Sequence, residues 1–376
     1  MTSTERVELL LLAAKAEANS VIYDSVSNYV AKGYVMPNLP RLLESVSTRS
    51  GSIPRLVDAG TDLRVVSPEV DTTTLVLAMS QVFCQMGVCP TEAKEAYSLV
   101  IQNARLLKSS MYKDNPYVRD IQVADSSYGK FRLLKQEDVP GECHFLRAGV
   151  TDSVGMNCPS VFFWVDSYTY PILLQDSVSW MSITPNEICT MKDSISKAQG
   201  NVLVLGMGLG YYPYMVSLKD TVTSVTVVEL EHDVIELFKR DLLPQFKYAN
   251  KIRVVEDDAF HYLKSADLSK FDYCFSDTIK GVEDFATHKR MYQALQSKDL
   301  VSYCWLEDAI TAEVANVLMW VGFRKLLGET PPSICDFMIP GLAEDCIQYL
   351  NRNSVNNARE LLCLARDAVA LRKILS

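Results

Sequence analysis

The spacing of apolar and polar positions changes along this chain, and the changes divide it. Residues 5–19 predict an amphipathic helix, and further helices are expected at about 23–32, 72–86 and 91–111. The last of these opens at Pro90-Thr91, with Glu92 and Glu95 in its first turns. Between them, PNLPRLLESVSTRSGSIPRL carries prolines, serines and glycine and predicts turns around one short helix. Residues 1–115 are therefore expected to form a helical domain, read as a packing or oligomerisation module, with a substrate-covering lid as the other reading.

After Asn115-Pro116 the pattern becomes strand-like. IQVADSSYGKFRLLK (121–135) predicts two short strands joined by a turn at Ser126 to Gly129. CHFLRAG, VFFWVDSY and YPILLQDS add further runs, giving a small β-rich segment at 116–180. From about residue 184 strands and helices alternate. Thr184-Pro185-Asn186-Glu187 predicts a helix start, with Thr184 as N-cap, Pro185 at the first helical position and Glu187 closing a capping box. That helix should reach about Ala198. Strands are then expected at 201–205, 224–229, 252–256, 271–276 and 300–306, with helices at 212–219, 232–240, 258–265 and 286–296. Apolar strands alternating with helices predict an α/β fold, a Rossmann-like, doubly wound and mostly parallel sheet, over 181–340. GFRKLLG and CDFMIPG could close the sheet as a hairpin, and the tail, 341–376, reads as two helices.

Composition narrows the function. Apolar residues make up 48% of the 376, charged residues 22%, and the formal net charge is −9. An acidic chain is a poor coat for phosphate backbones, so no nucleic-acid partner is expected. Ten cysteines without a C-x-x-C pair predict no structural zinc and suggest a reducing, cytoplasmic setting. The run Leu9 to Ala14 is far shorter than the ~20 apolar residues a membrane helix needs, and the acidic start does not resemble a signal peptide.

The chemistry is expected at the strand ends, where open α/β sheets bind ligands. NVLVLGMGLGYYP ends a strand with Gly206, Gly208 and Gly210, and glycine there would let a ligand lie on the main chain. The dinucleotide pattern G-x-G-x-x-G would put its third glycine at Tyr211, so a ligand without pyrophosphate is favoured. Glu229 at the second tip can accept both hydroxyls of a ribose, and an Asp at 257–258 can accept from an exocyclic amine. Ser276-Asp277-Thr278 brings another acid to the fourth tip. A nucleoside with a cationic, phosphate-free tail satisfies all four, and S-adenosylmethionine is such a molecule.

With these residues in place, VLVLGMGLG, VTVVELEHDVIEL, VVEDDAFHYL and FDYCFSDT together resemble the ordered motifs of class I S-adenosylmethionine-dependent methyltransferases, most closely the spermidine synthase branch. LLQDSVSWMSITPNEICTM resembles the hairpin-to-helix segment that precedes them. The resemblance spans about residues 170–340. It implies a cofactor site at Gly206, Met207, Gly208, Gly210, Glu229, Leu230, Asp257, Asp258 and Ala259. It also puts Asp277 at the position where aminopropyltransferases place an acid that helps deprotonate the attacking amine. Two features depart from that branch: Leu209 stands where it carries an Asp, and Ile279-Lys280-Gly281 follows where a second acid and a proline are usual. The expected activity is therefore methyl transfer from S-adenosylmethionine to a small-molecule amine or hydroxyl. Aminopropyl transfer and a non-catalytic scaffold are the alternatives. No membrane partner is expected, and a homodimer is possible.

Several residues carry plainer readings too. Asp258 could cap a helix, Asp277 could be a turn residue, and Asp308 reads as a cap. Tyr211 and Tyr212 either cover the ligand or pack on the sheet. His232, His261 and His288 read as surface or packing residues. Trp164, Tyr168, Tyr170 and Trp180 either line an acceptor pocket or fill a core.

Overall fold

The computed structural model describes residues 3–33, 35, 83, 93–329 and 341–375. They cluster into two units. One takes in the described residues of Met1–Met111 with Asp138–Tyr168 and Asp308–Ile374; the other takes in Tyr112–Glu137, Thr169–Glu307 and Leu375.

In the first unit a single helix, Ser3–Ala31, replaces the two that were expected. The polar side chains at the boundary between the two expected segments are satisfied within an unbroken helix. Asn19 is buried and its Nδ2 donates to Asp152 Oδ2 at 2.7 Å, while Ser20 Oγ donates to the Glu17 carbonyl at 2.9 Å. The expected helix at 72–86 lies outside the described residues except for Phe83, and Pro90-Thr91 lies outside them too. Lys94–Asn103 is helical, then Ala104 turns extended. Arg105–Leu107 runs on as a strand, parallel to Asn157–Trp164, which also pairs antiparallel with Cys143–Thr151. GFRKLLG is helical rather than a strand: all but its last residue, Gly328, lies within Glu307–Leu327. Gly322 is there because the Leu361 side chain packs where its Cβ would be. CDFMIPG is undescribed apart from Gly341. Three helices, Leu342–Arg352, Ala358–Ala365 and Ala368–Leu375, form the tail in place of two.

The second unit holds a four-stranded sheet in the order Ser126–Tyr128, Phe131–Asp138, Tyr168–Gln175, Val178–Ser182, save the strand-end residues Asp138 and Tyr168. Its first turn falls on Gly129-Lys130, with Tyr128 opposite Phe131, later than the expected Ser126 to Gly129. Gly129 has a φ of +54°, which a tight two-residue loop needs. The chain then enters helix α1 (Pro185–Lys197). There follow strand β1 (Gly200–Leu205), helix α2 (Tyr211–Ser217), strand β2 (Val222–Glu229) and helix α3 (His232–Leu237). Strand β3 (Ile252–Glu256), helix α4 (Ala259–Ser265), strand β4 (Tyr273–Ser276), helix α5 (Phe285–Gln296) and strand β5 (Ser302–Cys304) complete the alternation.

The five strands form a parallel sheet in the order β3-β2-β1-β4-β5, a Rossmann-like arrangement of the methyltransferase type. Val202, Leu203, Val204 and Leu205 have no exposed surface, as expected of a central strand covered on both faces. The chain winds one way from β1 to β3, then returns to the other side of β1 with β4. That reversal opens a crevice beyond the carboxyl ends of β1 and β4. Among the described residues no helix is long and apolar enough to cross a membrane.

Candidate active site

Hydrogen bonds between neighbouring tips fix the crevice. Gly206 N–H donates to the Val228 carbonyl at 2.8 Å, joining the end of β1 to β2. Asp277 N–H donates to the Leu205 carbonyl at 2.7 Å, joining β4 to β1. Gly206 and Gly208 have φ of +93° and +51°, a region L side chains rarely adopt. Their missing Cβ atoms also leave room for protein. A Cβ on Gly206 would strike the Asp277 carbonyl, and one on Gly208 the Met181 sulfur. The glycine turn thus lets β4 and the preceding hairpin close on β1, besides opening main chain to the crevice. Gly210 is not on the crevice wall; it stands at the N-cap of α2 against Phe238.

The crevice encloses a cavity of about 640 Å³. Gly206, Met207, Gly208, Glu229, Leu230, Asp257, Asp258, Ala259 and Asp277 all line it. Glu229 is 6% exposed and bridges two tips. Its Oε2 accepts from Met207 N–H at 2.8 Å and its Oε1 from Glu231 N–H at 2.9 Å. Burial raises its proton affinity above the usual carboxylate range, and the backbone donors pull it back down. Leu230 beside it is 61% exposed, an apolar ledge on the wall. Asp258 is the N-cap of α4, with Oδ1 accepting from His261 N–H at 2.8 Å, while still lining the cavity. Asp257 turns to the His261 ring, 2.8 Å from Nδ1.

Asp277 is pushed up to about 7, first by burial and then by the charge of Glu229. Close to it lies a residue that the sequence reading assigned elsewhere. Thr184 makes no side-chain cap bond, so the expected capping box is absent. Glu187 instead lines the cavity, and its Oε2 is buried with no hydrogen-bond partner. Burial raises it well above the usual carboxylate range, and the Asp277 charge adds to that. The signal lies in the spacing. Glu187, Met191, Ser194 and Ala198 recur at helical intervals, and the last three are buried, so Glu187 heads an inward stripe.

Aromatic side chains and two cations complete the wall. Trp180 and Trp305 line the cavity, and Trp305 Nε1 donates to Thr190 Oγ1 at 3.0 Å. Lys280 Nζ sits 5.0 Å above the Trp180 ring and the Arg290 guanidinium 4.6 Å above Phe260. The tyrosine pair is packing: Tyr212 stacks on Phe275 at 3.8 Å, and the Tyr211 hydroxyl accepts from Asn115 Nδ2 at 3.0 Å. Trp164 and Tyr168 stack on each other at 4.3 Å in the first unit, and Tyr170 is buried. Asp308 lies in the first turn of Glu307–Leu327. His232 pairs with Glu256 at 2.9 Å at the surface, whereas His288 is buried and burial lowers it to about 4.

Residues 181–318 match the spermine/spermidine synthase domain model. This segment therefore carries a spermidine synthase-like domain on a class I methyltransferase-type fold. Among solved structures, a spermidine synthase from Thermotoga maritima is 17% identical, over 41% of this chain and 56% of its own, with a TM-score of 0.30. A conserved hypothetical protein of Streptococcus pyogenes is 18% identical over 31% of this chain and 73% of its own, with a TM-score of 0.25. A spermidine synthase in complex with the transition-state analogue AdoDATO is 18% identical, over 35% of this chain and 47% of its own, with a TM-score of 0.28. No curated protein matches the chain.

Proposed function

We propose that the second unit transfers an aminoalkyl group from an adenosyl sulfonium to an amine acceptor, as an aminopropyltransferase does. The observation that carries this reading is the row of carboxyls, Glu187, Asp277 and Glu229, in one cavity of a spermidine synthase-like segment. The match favours aminopropyl transfer over the methyl transfer expected from sequence. Charge agrees with it: decarboxylated S-adenosylmethionine carries a sulfonium and an ammonium, and no carboxylate to meet the acidic wall.

The residues fit such a donor. Each Glu229 oxygen accepts one backbone N–H and keeps a lone pair, so the pair can also accept both ribose hydroxyls. Leu230 offers an apolar surface for the base, and Asp257 and Asp258 supply acceptors for an exocyclic amine. The cavity volume falls within the range of small-molecule sites, about 300–1,000 Å³.

In the reaction, the acceptor nitrogen attacks the propyl carbon next to sulfur. The C–N bond forms as the C–S bond breaks, and that electron pair stays on sulfur as a thioether. The nitrogen then carries one proton too many, which passes to Asp277. An acid held at about 7 suits proton transfer near neutral pH.

The test incubates the purified protein with decarboxylated S-adenosylmethionine and a series of diamines, and separately with S-adenosylmethionine, with products read by mass spectrometry. The expected products are 5′-methylthioadenosine and the elongated amine, from the decarboxylated donor. S-adenosylhomocysteine from S-adenosylmethionine, with the decarboxylated donor inert, would return the protein to methyl transfer.

A further inference from the structure

Asp138, Glu142 and His144 play no part in the crevice. All three belong to the first unit, and each offers one metal-ligating atom. These atoms all lie within 4.8 Å of one another. Local sequence brings them together. Asp138 ends the strand Phe131–Asp138, and the chain then turns at Pro140-Gly141. Glu142 and His144 flank Cys143 at the start of Cys143–Thr151, so the alternation of an extended chain puts both on one face.

The distances suit a shared ion. His144 Nε2 lies 3.1 Å from Asp138 Oδ2 and 3.8 Å from Glu142 Oε1. Ligand atoms on one tetrahedral zinc ion, each about 2.0–2.2 Å from it, stand about 3.3–3.5 Å apart. Alignment agrees. His144 Nε2 is buried and makes no hydrogen bond, although Asp138 Oδ2 is within reach. A protonated imidazole paired with a carboxylate would aim that N–H at an oxygen. A nitrogen that shares an ion with the oxygens does not.

Neighbouring residues orient the three side chains, as the outer partners of metal ligands do. Trp164 Nε1 donates to Asp138 Oδ2 at 2.9 Å, and Trp164 N–H donates to the Glu142 carbonyl at 3.2 Å. Val139 N–H donates to Glu142 Oε2 at 3.0 Å, which turns that oxygen to the main chain and leaves Oε1 for an ion. Phe162, opposite His144 in the strand register, stacks on the imidazole at 5.3 Å. One imidazole and two carboxylates suit a borderline divalent ion such as zinc better than magnesium, which prefers an octahedron of oxygens. His144 and Glu142 are 26% and 22% exposed, so water can reach a fourth position.

We propose that Asp138, Glu142 and His144 bind one divalent transition-metal ion of the zinc type, which pins the turn at 139–141. Cysteine spacing, the basis for expecting no structural zinc, does not register a site of this composition. The site is independent of the aminoalkyl-transfer reading.

The experiment strips the purified protein of metal with EDTA and titrates it with zinc chloride by calorimetry, with magnesium chloride as the control. Thermal unfolding with and without zinc is read in parallel. The expected result is saturable one-to-one zinc binding at micromolar concentration, a higher unfolding midpoint with zinc, and no magnesium binding in the same range. Glu142→Gln and His144→Gln, at part-exposed positions, should each weaken zinc by more than about 100-fold and remove the midpoint shift. Trp164→Phe, which removes the donor to Asp138, should weaken zinc by about 10- to 100-fold. Where one variant does not fold, the others carry the comparison. His261→Gln, at a surface pair with Asp257 in the other unit, should bind zinc as wild type does. Unchanged zinc binding in Glu142→Gln and His144→Gln would put the ion elsewhere on the chain and overturn the site. Failure of wild type to bind zinc at millimolar concentration would overturn it too, and equal binding of magnesium would overturn the zinc type.

Discussion

Asp277→Asn is expected to lower kcat by roughly 10²- to 10⁴-fold, the usual worth of a positioned proton acceptor, with nucleoside affinity little changed. The main chain at Asp277 is held from both sides. Asp277 N–H is bonded to Leu205 at the end of β1, and the Asp277 carbonyl lies where a Gly206 Cβ would be. Asn should therefore keep the fold and lose only the base. In wild type, kcat/KM should rise with pH through about 7 as Asp277 ionises, and Asn should remove that limb. Stability supplies a second readout with a defined sign. The folded value of about 7 lies above the 3.8 of an unperturbed aspartate. The contribution of Asp277 to stability is thus complete below about 3.8 and is lost as pH rises towards 7. Between pH 5 and pH 8 wild type should lose about 2–3 kcal/mol relative to Asp277→Asn, measured by chemical denaturation at each pH. A parallel pH dependence of the two proteins would show that Asp277 is ionised throughout and is not the base.

Glu229→Ala is expected to abolish measurable nucleoside binding and to cost about 2–4 kcal/mol of stability. Both effects come from one geometry. Two backbone donors, the buried Met207 N–H and the part-buried Glu231 N–H, end on the Glu229 carboxylate; a buried donor left unpaired costs about 1–3 kcal/mol, and the half-exposed one less. Those bonds also hold the glycine turn against the tip of β2, so the floor of the cavity moves with them. Glu229→Gln should be milder in stability, because its carbonyl oxygen still accepts one of the two donors. It should be almost as severe in binding, because its NH₂ group faces the other donor and cannot accept a ribose hydroxyl. Equal nucleoside affinity in wild type and Glu229→Gln would remove the ribose from this end of the cavity.

The strand tips were legible in the sequence because β1, β2 and β4 are largely buried apolar runs that stop abruptly at glycine or an acid, and the half-buried β3 ends on an acid too. Such an ending has few explanations other than a crevice. The glycines were only half legible. Their positive φ could be anticipated, but the packing of Asp277 and Met181 against Gly206 and Gly208 depends on strand order, which no local pattern carries. Gly210 was read as ligand floor and instead starts a helix. Glu187 was hidden by a local rule: Thr-Pro-Asn-Glu matches a helix start so well that the inward stripe it heads with Met191 and Ser194 was passed over. Glycine misled once more at 322–328, where Gly322 marked the close approach of Leu361 to a helix and was read as the edge of a strand. The first helix was expected in two pieces, 5–19 and 23–32, because the partner that satisfies the buried Asn19 at their boundary, Asp152, lies far along the chain.

The central claim is that the cavity beyond β1 and β4 holds an adenosyl group by its sugar. Calorimetric titration of the wild-type protein with 5′-methylthioadenosine tests it most directly, since that molecule carries the base, ribose and sulfur and nothing else. The expected result is saturable one-to-one binding that adenosine weakens by competition and 2′-deoxyadenosine does not. Absence of binding at millimolar ligand, or indifference to the 2′-hydroxyl, would contradict it.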